Sequence, residues 1–165
     1  MDPNNIGSVS GIASLYFQMK RMDQAKEYYI KHIQLEPTNP EPYYSVAVID
    51  WTQTYQPRIV LKSRLGLKPD EAIRNPQERQ TLADRNNPLI EEGMQMLNKA
   101  MELRQEYDDA MAYLNLLYRE KADLAATPEE RDELLRTANT WIDKALEVKK
   151  LKAERALKQA SATGG

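Results

Sequence analysis

The 165-residue chain predicts an all-α fold, and three observations carry that expectation. Glycine is scarce at 6 residues, and no Asn-Gly or Asp-Gly pair of the kind that turns a β-hairpin occurs. Ala, Leu, Glu, Lys, Gln, Arg and Met dominate, and all are good helix formers. Apolar residues also recur three and four positions apart, the spacing that lines one face of a helix.

The first predicted helix runs from about Asn5 to Lys20, with Val9, Ile12, Ala13 and Tyr16 on one face. The second runs from about Met22 to Leu35, with Ala25, Tyr29, Ile30 and Ile33 together. The break between them is short, so the two helices pack antiparallel. Pro37 stops the second, and Thr38-Asn39-Pro40 opens the next unit.

These residues carry a resemblance. The pattern Val9-x2-Ile12-Ala13-x2-Tyr16, then Ala25-x3-Tyr29-x2-His32-x4-Pro37, resembles one tetratricopeptide repeat (TPR), a helix–turn–helix unit of 34 residues. Val9, Ala13 and His32 fill slots where the family usually has Trp, Gly and Ala. The ending Leu35-Glu36-Pro37-Thr38-Asn39-Pro40 is similar to a junction between repeats, and Met1-Asp2-Pro3-Asn4-Asn5 has the same form. The chain is therefore expected to be a fragment of a longer array.

One repeat length further on, Tyr43-x2-Val46-Ala47 refills the first-helix slots, with Asp50 where a Tyr belongs. The matching second helix arrives late, as Gly93-x3-Leu97-x2-Ala100, which is 68 residues after Ala25. A third unit reads Met111-x2-Leu114-Asn115-x2-Tyr118 and then Ala138-x3-Ile142-x2-Ala145, 11 residues later than strict spacing. The expected architecture is an α-solenoid of antiparallel hairpins, a TPR-like superhelix with an elongated middle hairpin. Its units are 6–39, 40–107 with an insertion at 54–88, and 108–150, followed by a capping helix and tail at 151–165.

Two readings stand for the insertion. Both helices of the middle hairpin can be longer, with a tip near Gly66–Pro76. Alternatively, Ile59–Leu67 and Asn75–Arg85 form a degenerate extra repeat. The 68-residue phase favours the repeat. Composition favours the long hairpin, because Asn75–Arg85 offers only Leu82 and Ala83 to a core. In that case Pro57 and Pro88 kink the long helices instead of ending them. The excess at Ala122–Glu133 then emerges on the same edge of the stack.

Catalytic chemistry has little to stand on. There is 1 His and no Cys, so disulfides, thiolate metal sites and Cys nucleophiles are removed together. No Gly-rich phosphate loop occurs. His32 reads as a packed structural residue. Glu91-Glu92 and Glu129-Glu130 read as carboxylates in first helical turns, where they complement the helix dipole. Asp50 is the odd acid, free to bond the inserted segment or to meet a ligand. No enzyme, metal or cofactor is expected.

A net charge of -2 argues against whole-chain attraction to nucleic acid or anionic lipid. No apolar run approaches the ~18 residues that span a membrane. Nothing at the N-terminus reads as a signal peptide, and a Cys-free chain suits cytoplasm and periplasm alike. The run from Val148 carries Lys149, Lys150, Lys152, Arg155 and Lys158 against Glu154, and reads as a solvated end cap.

The resemblance implies a surface. In the family, first helices line a concave groove that takes peptides. Phe17, Ser10 and Ser14 are expected to face it from the first unit. Glu41, Tyr44, Val48 and Trp51 face it from the second, and Ala112, Leu116 and Arg119 from the third. Phe17, Tyr44, Val48, Trp51, Leu116 and Arg119 are the expected contacts for a protein or peptide partner with an apolar or helical segment. The Lys/Asn/Arg clamp with which some relatives grip acidic C-termini is missing, since its slots hold Ser10, Ser14, Val48, Ala112 and Leu116. The competing expectation is that the insertion or upstream repeats bury this face. A further alternative is a terminal cap that self-associates through it as a homo-oligomer.

Overall fold

The structure, a computed structural model, describes residues 5–163. These form six helices: α1 (Ile6–Gln18), α2 (Met22–Leu35), α3 (Pro40–Arg64), α4 (Pro76–Leu103), α5 (Asp108–Ala122) and α6 (Pro128–Thr163). They pair in chain order as three hairpins, α1 on α2, α3 on α4 and α5 on α6. Helix α3 also packs against α2 and α5, so the hairpins stack as a helical-repeat solenoid. The junction-like form expected for Met1-Asp2-Pro3-Asn4-Asn5 lies outside the described residues except for Asn5.

The repeat phase is visible at the helix starts. The N-caps of α1, α3 and α5 are Asn5, Asn39 and Tyr107, spaced 34 and then 68 residues. Asn5 Oδ1 accepts from the Ser8 amide at 3.0 Å, and Asn39 Oδ1 from the Glu41 amide at 3.0 Å. Each carboxamide satisfies an amide that the first helical turn leaves unpaired. The α1–α2 turn closes through Lys20, whose φ of 58° is left-handed.

The main core joins Tyr43 and Ala47 of α3, Ile90, Met94, Leu97 and Ala100 of α4, and Ala110, Leu114 and Leu117 of α5. Ala25, Gly93 and Ala138, the small residues of the three second helices, are all buried. Small residues there let the backbones approach closely. At Gly93 the approach is extreme, since a Cβ would sit 2.8 Å from Leu117 Cδ1 and 3.3 Å from Asp50 Cβ.

The insertion is a long hairpin. Helices α3 and α4 pass through Pro57 and Pro88 without ending. Pro57 has no N–H for the Gln53 carbonyl, and Pro88 none for that of Asp84. Near this weakened stretch Asn86 Nδ2 donates to the Thr54 carbonyl at 3.0 Å, with both residues buried. Asn75 caps α4 by accepting from the Gln77 and Glu78 amides, and Pro76 follows at the first helical position.

Beyond Asn86 the extension has its own small core. Leu61, Ile73 and Leu82 pack together with Leu65, Leu67 and Leu124. Leu124 belongs to the α5–α6 turn, and Arg131 at the start of α6 donates to the Asp70 carbonyl at 2.7 Å. The two extensions therefore meet on one edge of the stack. The degenerate-repeat reading fails because Asn75–Arg85 continues into α4 instead of forming a separate repeat helix.

Two local expectations are corrected. Glu91 and Glu92 lie in the middle of α4, not in a first turn, because Pro88 does not start a helix. Glu129 and Glu130 do sit in the first turn of α6. No break separates a capping helix at 151, as α6 runs on to Thr163. Its exposed end is held by Lys152 to Asp108 at 2.5 Å and by Arg155 to Glu106 at 2.6 Å.

Candidate protein-binding face

Helices α3 and α5 lie side by side, and their facing edges build an aromatic seam. Tyr44 packs on Tyr107, with ring centroids 5.3 Å apart, and edge-on against Tyr113 at 5.5 Å. Trp51 meets Tyr113 edge-on at 5.6 Å and Tyr55 at 5.1 Å. Edge-to-face contacts place the positive rim of one ring on the negative face of another, which favours this geometry. Burial pushes the Tyr44 and Tyr113 hydroxyls above their ordinary pKa.

Five of the six expected contact residues lie on this pair of helices. Tyr44, Val48 and Trp51 are on α3, and Leu116 and Arg119 are on α5. All five are partly buried, so each offers some of its surface. Phe17 stands apart. It is partly buried on α1, and among the described residues α1 packs only against α2. Ser10 and Ser14 share its helix. Glu41 is occupied at the base of the seam, where it pairs with Arg104 at 2.5 Å and accepts from the Tyr107 hydroxyl at 3.1 Å.

The inserted segment does not cover the seam along its length. Its leucines and Ile73 turn into the small core of the extension. It closes one end instead. Beyond Trp51, a depression of about 350 Å³ is lined by Tyr55, Arg58 and Ile59 of α3, the tip residues Pro69 and Asp70, Arg119 and Asp123, and Arg131 and Leu135 of α6.

Arg58, Asp123 and Arg131 of its lining belong to a network of buried charges. Arg58 Nε lies 2.7 Å from Glu120 Oε2, and its Nη1 2.8 Å from Asp123 Oδ2. Lys62 Nζ lies 2.6 Å from the same Asp123 oxygen and donates to the Pro69 carbonyl at 2.7 Å. Arg131 approaches Asp123 Oδ1 at 3.7 Å. Buried ions survive when paired and hydrogen-bonded, and these pairs fix the extension to α5 and α6. Burial pushes Glu120 up to about 7 against the opposing pull of Arg58.

A second buried acid lies on the other side of α3. Asp50 is fully buried and accepts from Lys26 of α2 at 2.7 Å. Lys26 also pairs with Glu92 of α4. Asp50 thus bonds neither the inserted segment nor a position open to a ligand. His32 is buried, with Nε2 3.2 Å from Glu36. No group of three or more His, Cys, Asp or Glu that could hold a metal ion occurs among the described residues. No helix there is long and apolar enough to cross a membrane.

Sequence reasoning missed Tyr55, Arg58 and Tyr113. The signal for two of them was available. Residues 44, 48, 51, 55 and 58 follow one another at helical spacing, so the stripe continues past residue 54, where the expected insertion began. Arg131 gave no such signal, because its place depends on where the tip of the neighbouring hairpin folds.

Residues 10–39 match the family model described as Tetratricopeptide repeat. No curated protein matches the chain.

Proposed function

Because the chain carries a tetratricopeptide repeat, a module that generally mediates contacts between proteins, we propose that it is a non-catalytic scaffold whose α3–α5 face holds an apolar or helical segment of a partner. Tyr44, Val48, Trp51 and Leu116 supply the apolar contact and Arg119 a charged one. The units are taken as 6–39, 40–107 with the insertion 54–88, and 108–150, with the exposed end from 151 as a solvated cap.

One observation carries the reading: a line of partly exposed apolar and aromatic side chains continues along two adjacent helices, while the leucines and Ile73 of the inserted segment pack into the extension's own core. Contiguous exposed apolar surface of this kind marks partner sites, and aromatic residues and Arg are common interface anchors. Phe17 joins only if the partner segment extends across to α1.

The reading is tested by comparing partner recovery on wild-type chain and on Val48→Asp, with thermal melts of both. Loss of a partner at unchanged melting temperature supports it. Equal recovery with the variant removes it. Sedimentation at several concentrations separates it from self-association, which appears as a concentration-dependent dimer weakened by the same substitution.

A further inference from the structure

The depression at the end of the seam has an unusual charge pattern. Its lining carries three arginines, Arg58, Arg119 and Arg131, and two carboxylates, Asp70 and Asp123, while Glu120 and Lys62 pair with Arg58 and Asp123 beside it. Arg58 and Lys62 are satisfied by Glu120 and Asp123. Arg119 is different. Its Nε donates to Asn115 Oδ1 at 2.9 Å and its Nη2 to Asn139 Oδ1 at 2.6 Å, both neutral acceptors. It is a partly buried guanidinium held in place with no carboxylate of the described residues within ion-pair distance. Arg131 gives Nη2 to a backbone carbonyl, lies 3.7 Å from Asp123, and leaves its buried Nε without a partner among the described residues. Asp70 is exposed and uses its carbonyl, not its carboxylate, to hold Arg131.

A fixed guanidinium without a counter-ion, in a depression walled by Tyr55, Ile59 and Leu135, suits a planar or tetrahedral oxyanion. Arg offers forked donors matched to carboxylate and phosphate oxygens, and a concave low-dielectric wall strengthens the attraction. The two asparagines hold the fork, so little side-chain freedom remains to be lost on binding. The raised pKa of Glu120 adds to this, since part of its negative charge is withdrawn near neutral pH.

We propose that this depression is an oxyanion subsite at the end of the α3–α5 face, centred on Arg119 and Arg131, which takes a carboxylate or phosphate group carried by the bound partner segment. The subsite rests on the scaffold reading for its biological ligand, but its affinity for an anion does not depend on that reading. It uses none of the slots of the peptide C-terminus clamp, and it exists because the long middle hairpin brings Pro69–Asp70 and Arg58 to the start of α6.

The test uses the full chain at low ionic strength. Inorganic phosphate and, separately, acetate are titrated while the arginine side-chain Nε–H resonances are followed by NMR. The expected result is a saturable shift confined to Arg58, Arg119 and Arg131, weakened at least tenfold in Arg119→Gln. A stronger response to phosphate assigns a phosphorylated side chain, and a comparable response to acetate assigns an acidic one. Absence of saturation with both anions overturns the proposal, as does an unchanged response in Arg119→Gln. Shifts spread evenly over exposed arginines such as Arg136 and Arg155 overturn it too, and that readout needs no variant. Trp51→Ala is expected to keep the anion response, so failure of the apolar face and failure of the subsite are told apart.

Discussion

Lys26 Nζ lies 2.7 Å from Asp50 Oδ1, while the second oxygen of the same fully buried carboxylate has no hydrogen-bond partner among the described residues. The pair crosses from α2 to α3, and Glu92 extends it to α4. Burial disfavours the ionised acid and the ammonium favours it, and burial is the larger effect, so Asp50 is pushed up to about 7. Lys26 is raised as well: burial alone would lower it, but its bonds to Asp50 and Glu92 outweigh that.

The sign of the pH dependence follows. Below the unfolded pKa of 3.8, Asp50 is protonated in both states. Between there and about 7 the unfolded acid has ionised and the folded one resists. Its contribution to stability is therefore lost as pH rises through that window, and it levels off above. Asp50→Asn cannot ionise, so its stability relative to wild type is expected to improve as pH rises from about 4 to about 7. The slope is at most about 1.4 kcal/mol per pH unit. Denaturant melts of both proteins across this range check it, and a pH-independent difference contradicts it.

Gly93→Ala sets two effects against each other. Alanine gains up to about 1 kcal/mol of helix propensity over glycine. The new methyl would lie 2.8 Å from Leu117 Cδ1, and Leu117 is itself fully buried with little room to retreat. Overpacking of this kind costs about 1–3 kcal/mol. The net expectation is destabilisation by roughly 1 kcal/mol, read from the denaturation midpoint. A stabilised variant would show that Leu117 can change rotamer at no cost.

Asn86→Ala removes the donor to the Thr54 carbonyl where the long hairpin leaves the stack. The Thr54 carbonyl keeps the Arg58 amide of its own helix, so the loss is that of one buried hydrogen bond, about 0.5–1.5 kcal/mol. The loss is expected to be local, with amide exchange accelerating in 57–88 more than in the core around Leu97. Uniform acceleration through the chain would show that the extension and the stack unfold as one unit.

Much of the fold was written in residue spacing. The 34-residue phase of Asn5, Asn39 and Tyr107 and the small residues Ala25, Gly93 and Ala138 follow from repeated packing needs. The poor apolar content of Asn75–Arg85 pointed to a hairpin extension, because too little was there to bury a separate repeat helix. The site was less legible. The repeat pattern put Phe17 in one groove with Tyr44, Val48, Trp51, Leu116 and Arg119, but only the last five lie on the adjacent helices α3 and α5, since among the described residues α1 packs only against α2. The charge network was hidden because Arg58 and Lys62, Glu120 and Asp123, and Arg131 come from three helices with no common period. The partner of Asp50 was hidden for the same reason, as Lys26 sits 24 residues away on another helix.

Trp51 separates surface from core. It is partly buried against Tyr55 and Tyr113, whereas Ile49 two residues earlier is fully buried. Truncating Ile49 to Ala is expected to cost about 2–5 kcal/mol. Truncating Trp51 to Ala is expected to cost roughly 1–2 kcal/mol, because part of its ring is already in water. Equal losses in thermal or chemical melts would place Trp51 in the core.

The central claim is that the α3–α5 face contacts another protein. A photo-reactive amino acid at position 48, compared with one on the outer side of α6 at position 147, tests it most directly. The expected result is a discrete cross-linked heteromeric product from position 48, lost when Trp51→Ala and Leu116→Ala are added, with none from position 147. Cross-links from position 48 only to a second copy of the chain, or equal products from both positions, would contradict it.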